Sequence, residues 1–176
     1  MNDTGISLDA TLPLDWEEET SVITSILEQR RHGNLNLLKA LAAVETATKE
    51  SDDVPESMRK SLERVESKLD VLLMLVAQLT LDAAPLPSDR EISLSQACIS
   101  WKEPSSNTPL AGQTLKIRIF LSPRIPQPLV VRAIVRNSES GQISADLSGL
   151  DEELSEWLTR TIFRYHRRAV HASKQP

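Results

Sequence analysis

Arginine is the residue type with most chemistry to offer in this chain. Arg132 and Arg136 stand four apart in an apolar stretch, and Arg160, Arg164 and Arg168 repeat at the same interval, with Arg167 beside them. A guanidinium fork grips phosphate bidentately and matches the O6/N7 edge of guanine, so either set is a candidate anion or partner site. On a strand the first pair shares a face; on a helix the second set forms one i, i+4 stripe. Cations compensating a helix C-terminus account for the helical set without any ligand, and that reading is preferred. The other reactive types lead nowhere. His32, His166 and His171 have no metal-ligand spacing, and Cys98 sits between Ala97 and Ile99 as a small core thiol would. With only 5 glycines in 176 residues there is no phosphate loop, dinucleotide turn or nucleophile elbow. Acidic pairs such as Asp52-Asp53 fit helix caps. The reading is no enzyme, no metal and no cofactor.

Charge limits the partners. Residues 1–90 hold 17 acidic and 9 basic side chains, and residues 91–176 hold 8 and 11, within a whole-chain net of −5. That balance argues against a nucleic-acid binder, for which a steep salt dependence would be the sign. No apolar run reaches the ~18 residues of a membrane span, and the N-terminus lacks a basic-then-apolar signal pattern. Cys98 is the single cysteine, so no intrachain disulfide can form and a reducing, cytoplasmic location is expected.

The elements that would position these groups are organised around residues 58–79. Met58, Leu62, Val65, Leu69, Leu72, Val76 and Leu79 are spaced 4, 3, 4, 3, 4, 3, the period of a coiled-coil seam. A helix facing its own core spreads its apolar residues at 3.6 over a wider face. The seam therefore predicts self-association. Leu at the a positions, Val65 at one d position, and Leu73 and Leu75 flanking the seam favour a tetramer, with a dimer second.

Ile6 to Trp16 alternates as a strand, placed at the periphery because Pro13 cannot donate to a ladder. The acidic triplet Glu17–Glu19 then opens a first helix with Val22, Ile23, Ile26 and Leu27 as its stripe, and Gly33 stops it. Asn34 caps a second helix through Leu35, Leu38, Leu41, Ala42 and Val44. Asp53-Val54-Pro55-Glu56 reads as a capping box for the third, the seam helix. After residues 83–88 short strands take over: a β pair around Ser95-Gln96, Leu115 to Leu121, Leu129 to Val135, a turn at Ser138–Gly141, then Gln142 to Leu147. A terminal helix follows, with Leu154, Trp157, Leu158, Ile162 and Phe163 inward. Strands at this spacing indicate a small antiparallel barrel capped by a helix.

The order Glu91-Ile-Ser-Leu-Ser-Gln-Ala-Cys-Ile-Ser, Phe120-Leu121, Val130 to Val135, Gly141-Gln-Ile-Ser-Ala-Asp-Leu-Ser-Gly-Leu and the helix ending Ile162-Phe-Arg-Tyr-His-Arg-Arg168 resembles a PilZ domain, the bacterial receptor module for cyclic di-GMP. The resemblance implies an α+β fold: a six-stranded antiparallel barrel with a C-terminal helix. Residues 1–16 would supply the first strand, 17–82 an inserted three-helix oligomerisation region, and 83–176 the rest of the barrel. A heptad-bearing insertion is similar to the atypical, tetrameric branch found in xanthomonads. Family members that bind the dinucleotide use Arg-x-x-x-Arg before the first strand and an [Asp/Asn]-x-Ser-x-x-Gly turn. Here residues 1–16 hold no Arg or Lys but Asp3, Asp9 and Asp15. The turn survives only as Glu91-Ile-Ser93-Leu-Ser-Gln96, with Gln where glycine would admit close backbone approach. The resemblance thus implies a non-catalytic adaptor in cyclic di-GMP-linked control of motility or virulence. It would meet an unidentified protein partner and leave the usual site empty of cyclic di-GMP. The alternative is a receptor whose arginine site is rebuilt from Arg132, Arg136 or the terminal stripe.

Overall fold

The computed structural model describes residues 6–46, 56–83, 85–103, 108–122 and 125–172, with some side chains within these left aside. Six strands form the centre: β1 (Leu8–Glu18), β2 (Asp89–Leu94), β3 (Cys98–Lys102), β4 (Thr114–Ile119), β5 (Leu129–Glu139) and β6 (Gln142–Ser148). Helices α1 (Thr24–Thr46) and α2 (Glu56–Ala83) lie between β1 and β2, and α3 (Glu152–Ala172) follows β6. The strands close into an antiparallel barrel in the order β1-β2-β3-β6-β5-β4. Alternation at period two is what turns one face inward. Leu115, Ile117 and Ile119 of β4 meet Leu129, Val131, Ala133 and Val135 of β5 in the core, with Leu14, Leu94, Ile99, Trp101 and Ile143. The β5–β6 hairpin turns tightly at Ser140 and Gly141, both at positive φ.

Strand β1 is the closing strand, contrary to the peripheral place expected from Pro13. Leu8 to Pro13 pair with β2, and Leu14 to Glu18 pair with β4. Pro13 stands at the changeover, where a missing N–H costs little. The acidic triplet does not open a helix either. Glu17 and Glu18 finish β1, where Lys116 holds Glu17, and Glu19 is buried.

The two helices expected on either side of Gly33 are one. Helix α1 runs through Gly33 because Leu35, Leu37, Leu38 and Leu41 are buried on the barrel, and this outweighs the ~1 kcal/mol that a helical glycine costs. Asn34 is no cap. It is buried, its Nδ2 donating to the Val130 carbonyl at 2.7 Å and its Oδ1 accepting from the Val130 N–H at 2.9 Å, so it pairs with β5 as a strand would. The described insertion thus has two helices, and the capping residues 52–55 lie outside the described residues. Ile23, just before α1, and Ile26 and Leu27 in its first turn are exposed.

Helix α3 docks across α1 and β1. Leu154, Leu158 and Ile162, four apart, point inward, and the Tyr165 hydroxyl donates to the Leu121 carbonyl at 2.8 Å. Phe163 was expected inward but is exposed, since it lies about 100° round the helix from Ile162.

Candidate functional site

Two parts of the barrel rim meet α3 at one groove. Ile6, just before β1, and Ser95, Gln96 and Ala97 of the β2–β3 turn face Thr159, Arg160, Ile162 and Phe163 across about 440 Å³. The turn is built to be self-sufficient. The Ser95 hydroxyl accepts from the N–H groups of Ala97 and Cys98 at 3.2 and 3.0 Å, and the Ser95 N–H donates to the Cys98 carbonyl at 2.8 Å. Such a side-chain-closed turn leaves little donor capacity for a ligand. Gln96 turns toward α3, its Nε2 donating to the Ser155 hydroxyl at 2.6 Å. On the outer face of β2, Glu91 is exposed, and Ser93 lies opposite Asp9 of β1 and Ser100 of β3. The Ser93 position is therefore paired with an acidic residue in the β1–β2 ladder.

The arginine sets do not converge on that groove. Arg132 and Arg136 share the outer face of β5, as their spacing predicts, yet each has a local counter-ion: Glu19 lies 3.5 Å from Arg132, and Asp146 pairs with Arg136. On α3, Arg160 pairs with Glu156 at 2.5 Å and lies 5.4 Å from the Trp157 ring, a cation–π distance. Arg164 is half-buried, donating to the Thr161 hydroxyl at 3.3 Å. Arg167 is exposed, and the Arg168 side chain lies outside the described residues. Among the described side chains of these sets, Arg160 lines the groove, with its charge already engaged.

A second charged region was not anticipated. Buried Glu19 bridges Arg30 of α1 at 2.6 Å and Arg132 of β5. Beside it, Arg30, Arg31, Asn34, Arg132, Ser148 and Gly149 line a pocket of about 100 Å³. Arg31 is occupied by Asp151 and, at 2.9 Å, by Glu153, while Lys39 reaches Glu153 at 3.1 Å. These cations hold the Asp151 and Glu153 carboxyls below the usual carboxylate range. Asp151 also caps α3, accepting from the Leu154 N–H at 2.9 Å. At the opposite rim, buried Glu103 takes Arg90 at 3.1 Å and the Trp16 indole N–H at 2.9 Å. The only sequence signal for these pairs was an acid ending a strand. Strand pairing over long separations decides which cation it meets.

Among the described residues no group of His, Cys, Asp and Glu is placed to hold a metal ion. No described helix is long and apolar enough to cross a membrane. The seven seam residues, Met58, Leu62, Val65, Leu69, Leu72, Val76 and Leu79, are each exposed by half or more along α2. Val71, Met74 and Leu75 are exposed as well, while the Leu73 side chain lies outside the described residues.

A sequence model of the atypical PilZ domain, described as a cyclic di-GMP receptor, matches residues 38–175. The chain belongs to the atypical PilZ family. Its fold agrees with that of a solved PilZ protein, a pathogenic protein from Xanthomonas campestris described as a new tetrameric PilZ domain self-assembled through an unusual helical bundle. The two agree with a TM-score of 0.76 at 22% identity, over 97% of this chain and 93% of that one. No curated protein matches by sequence. In this PilZ chain, the two places to which the sequence assigns the ligand motif, before β1 and at the β2–β3 turn, contribute Ile6 and Ser95–Ala97 to the 440 Å³ groove.

Proposed function

We propose that this PilZ chain is a non-catalytic regulatory adaptor that self-assembles through α2 and does not take cyclic di-GMP at the family's usual place. The observation that carries the reading is the exchange of charge there: Asp9 faces Ser93, Glu91 stands where the motif has Asp or Asn, and Ile6 occupies the approach to β1. A doubly anionic dinucleotide would lose hydration of both phosphates, and the guanidinium that lines the groove among the described residues, Arg160, is already paired with Glu156. The exposed α2 seam supports assembly, with four chains preferred over two because its C-terminal half is apolar on more than the a and d positions. Assembly would multiply weak contacts between barrels and a protein partner by avidity. Family membership supports a place in cyclic di-GMP-linked signalling, and control of motility or virulence is the output we propose for it.

Calorimetric titration with cyclic di-GMP at moderate salt tests the lost site. No heat and no shift in Tm are expected; saturable binding would overturn the reading. A relocated receptor site is the second reading, favoured by the convergence of Arg30, Arg31 and Arg132 on one pocket. It requires binding that is abolished by Arg132→Glu.

A further inference from the structure

We propose that the pocket between α1, β5 and the β6–α3 loop binds one terminal phosphoryl group, as inorganic phosphate or as the end of a phosphate ester. This goes beyond the adaptor reading and does not depend on it. The guanidiniums of Arg30, Arg31 and Arg132 line the pocket, and no carboxylate does. The acids that pair with them, Glu19, Asp151 and Glu153, stand outside its lining. Pairing does not exhaust a guanidinium, whose N–H donors form a fork with several prongs. Arg30 commits Nη1 to Glu19, while Arg31 commits Nε to Asp151 and Nη2 to Glu153. Arg30 Nε and Nη2 and Arg31 Nη1 make no hydrogen bond among the described residues. Arg132 meets Glu19 through Nε at 3.5 Å and makes no side-chain hydrogen bond among them at all.

The donors are also held in place before a ligand arrives. Asn34, on the same helix as Arg30 and Arg31, is bonded twice to Val130, two residues from Arg132 on β5. That bond pair fixes the two walls against each other, which lowers the cost of ordering them on binding. Lys39 on Glu153 adds a fourth cation to a cluster with three acids, so the surround favours an anion. About 100 Å³ is the liquid volume of about three waters, room for a phosphoryl group and too little for a guanine base. The phosphates of a cyclic dinucleotide are diesters with a ribose on either side, whereas a terminal phosphoryl enters end-on. The pocket therefore selects the terminal form. Leu27 and Arg132 are exposed among its lining residues, so it is open to solvent beside them.

The test titrates inorganic phosphate with the full chain at constant ionic strength, read by phosphorus magnetic resonance. A saturable shift with one site per chain is expected, half-complete at or below about 10 mM. Arg132→Gln should weaken it by at least about tenfold. So should Leu27→Glu, which sets a carboxylate beside the pocket from an exposed position and spares the fold. Arg136→Gln, on the same strand but outside the pocket, should leave binding unchanged. Absence of saturable binding, an equal loss in Arg136→Gln, or binding untouched by both pocket variants overturns the proposal. Phenyl phosphate separates the two sources: tighter binding than phosphate assigns the site to an ester end, weaker binding to the free ion, and either supports it. Cyclic di-GMP that leaves phosphate in place supports it too. Displacement by cyclic di-GMP, lost in Arg132→Gln, overturns the terminal-phosphoryl assignment and gives the pocket to the second reading.

Discussion

Leu69 and Leu72 are adjacent a and d positions at the middle of α2, 53% and 57% exposed within one chain. Full burial of a leucine is worth about 1.5–3 kcal/mol, so the exposed half of each contributes about 1 kcal/mol when a partner helix covers it. Changing both to Asp removes about 2 kcal/mol per chain and about 4 per helix pair, roughly a thousandfold in Kd. Each carboxylate placed in the seam must also be dehydrated or protonated, at a further cost of several kcal/mol. The barrel makes no use of either side chain, so its fold should persist. Sedimentation velocity should show an assembly of several chains for the parent protein and single chains for Leu69→Asp/Leu72→Asp, with unchanged barrel circular dichroism. A double variant that sediments with the parent would refute the seam. A parent protein that is monomeric at micromolar concentration would refute it as well.

Three further outcomes concern the clasp of helices on the barrel. Asn34→Leu strips both hydrogen bonds from Val130 and should cost about 2–4 kcal/mol in urea unfolding at fixed protein concentration; a loss under about 0.5 kcal/mol would mean that α1 is held by apolar contact alone. Gly141→Ala should destabilise more than Gly149→Ala. Both glycines have positive φ, worth about 1–2 kcal/mol to an L-residue, but only at Gly141 would the new Cβ meet a backbone atom, the Glu103 carbonyl oxygen at 3.0 Å. Equal Tm losses would contradict this. Asp151 and Glu153 have lowered folded pKa values, so their contribution is complete above the unfolded carboxylate values of about 4 and fades as pH falls through the lowered ones. Parent and Arg31→Gln should accordingly converge in Tm below that range and diverge above it; a gap that widens toward acid would reverse the sign.

The barrel was legible because each strand has one inward face, and Leu115, Ile117 and Ile119 announce it by alternation alone. The helix that carries the heptad, α2, was equally plain, being announced by a period rather than a contact. What failed to show was the long-range docking. Gly33 and Asn34 carry the local signature of a stop and a cap, and only the β5 edge, nearly a hundred residues on, turns them into the interior of one helix. Glu19 looked like the third acid of a helix start until Arg30 and Arg132 closed on it. Phe163 was misread because α3 has an apolar stripe at 154, 158 and 162, and a neighbouring aromatic is easily counted into it. The sequence singled out Gln96, but that Ile6 and Gln96 line one groove follows only from barrel closure.

Closure itself has a kinetic side. Strand β1 is the first described element, yet it pairs with β2 and β4, both beyond the whole helical excursion of residues 19–88. Joining strands across about 70 residues, in place of a four-residue hairpin, costs about 2.5 kcal/mol more in loop entropy. The remaining strands, β2 to β6, can find one another locally while β1 arrives late. Were the proposed seam to bring chains together, a neighbour's β1 would also come within reach, and exchanging it would preserve every ladder bond. Strand exchange between barrels is thus the misassembly to which this topology is most open, and order of events, helices before or after closure, decides which product a refolding mixture yields.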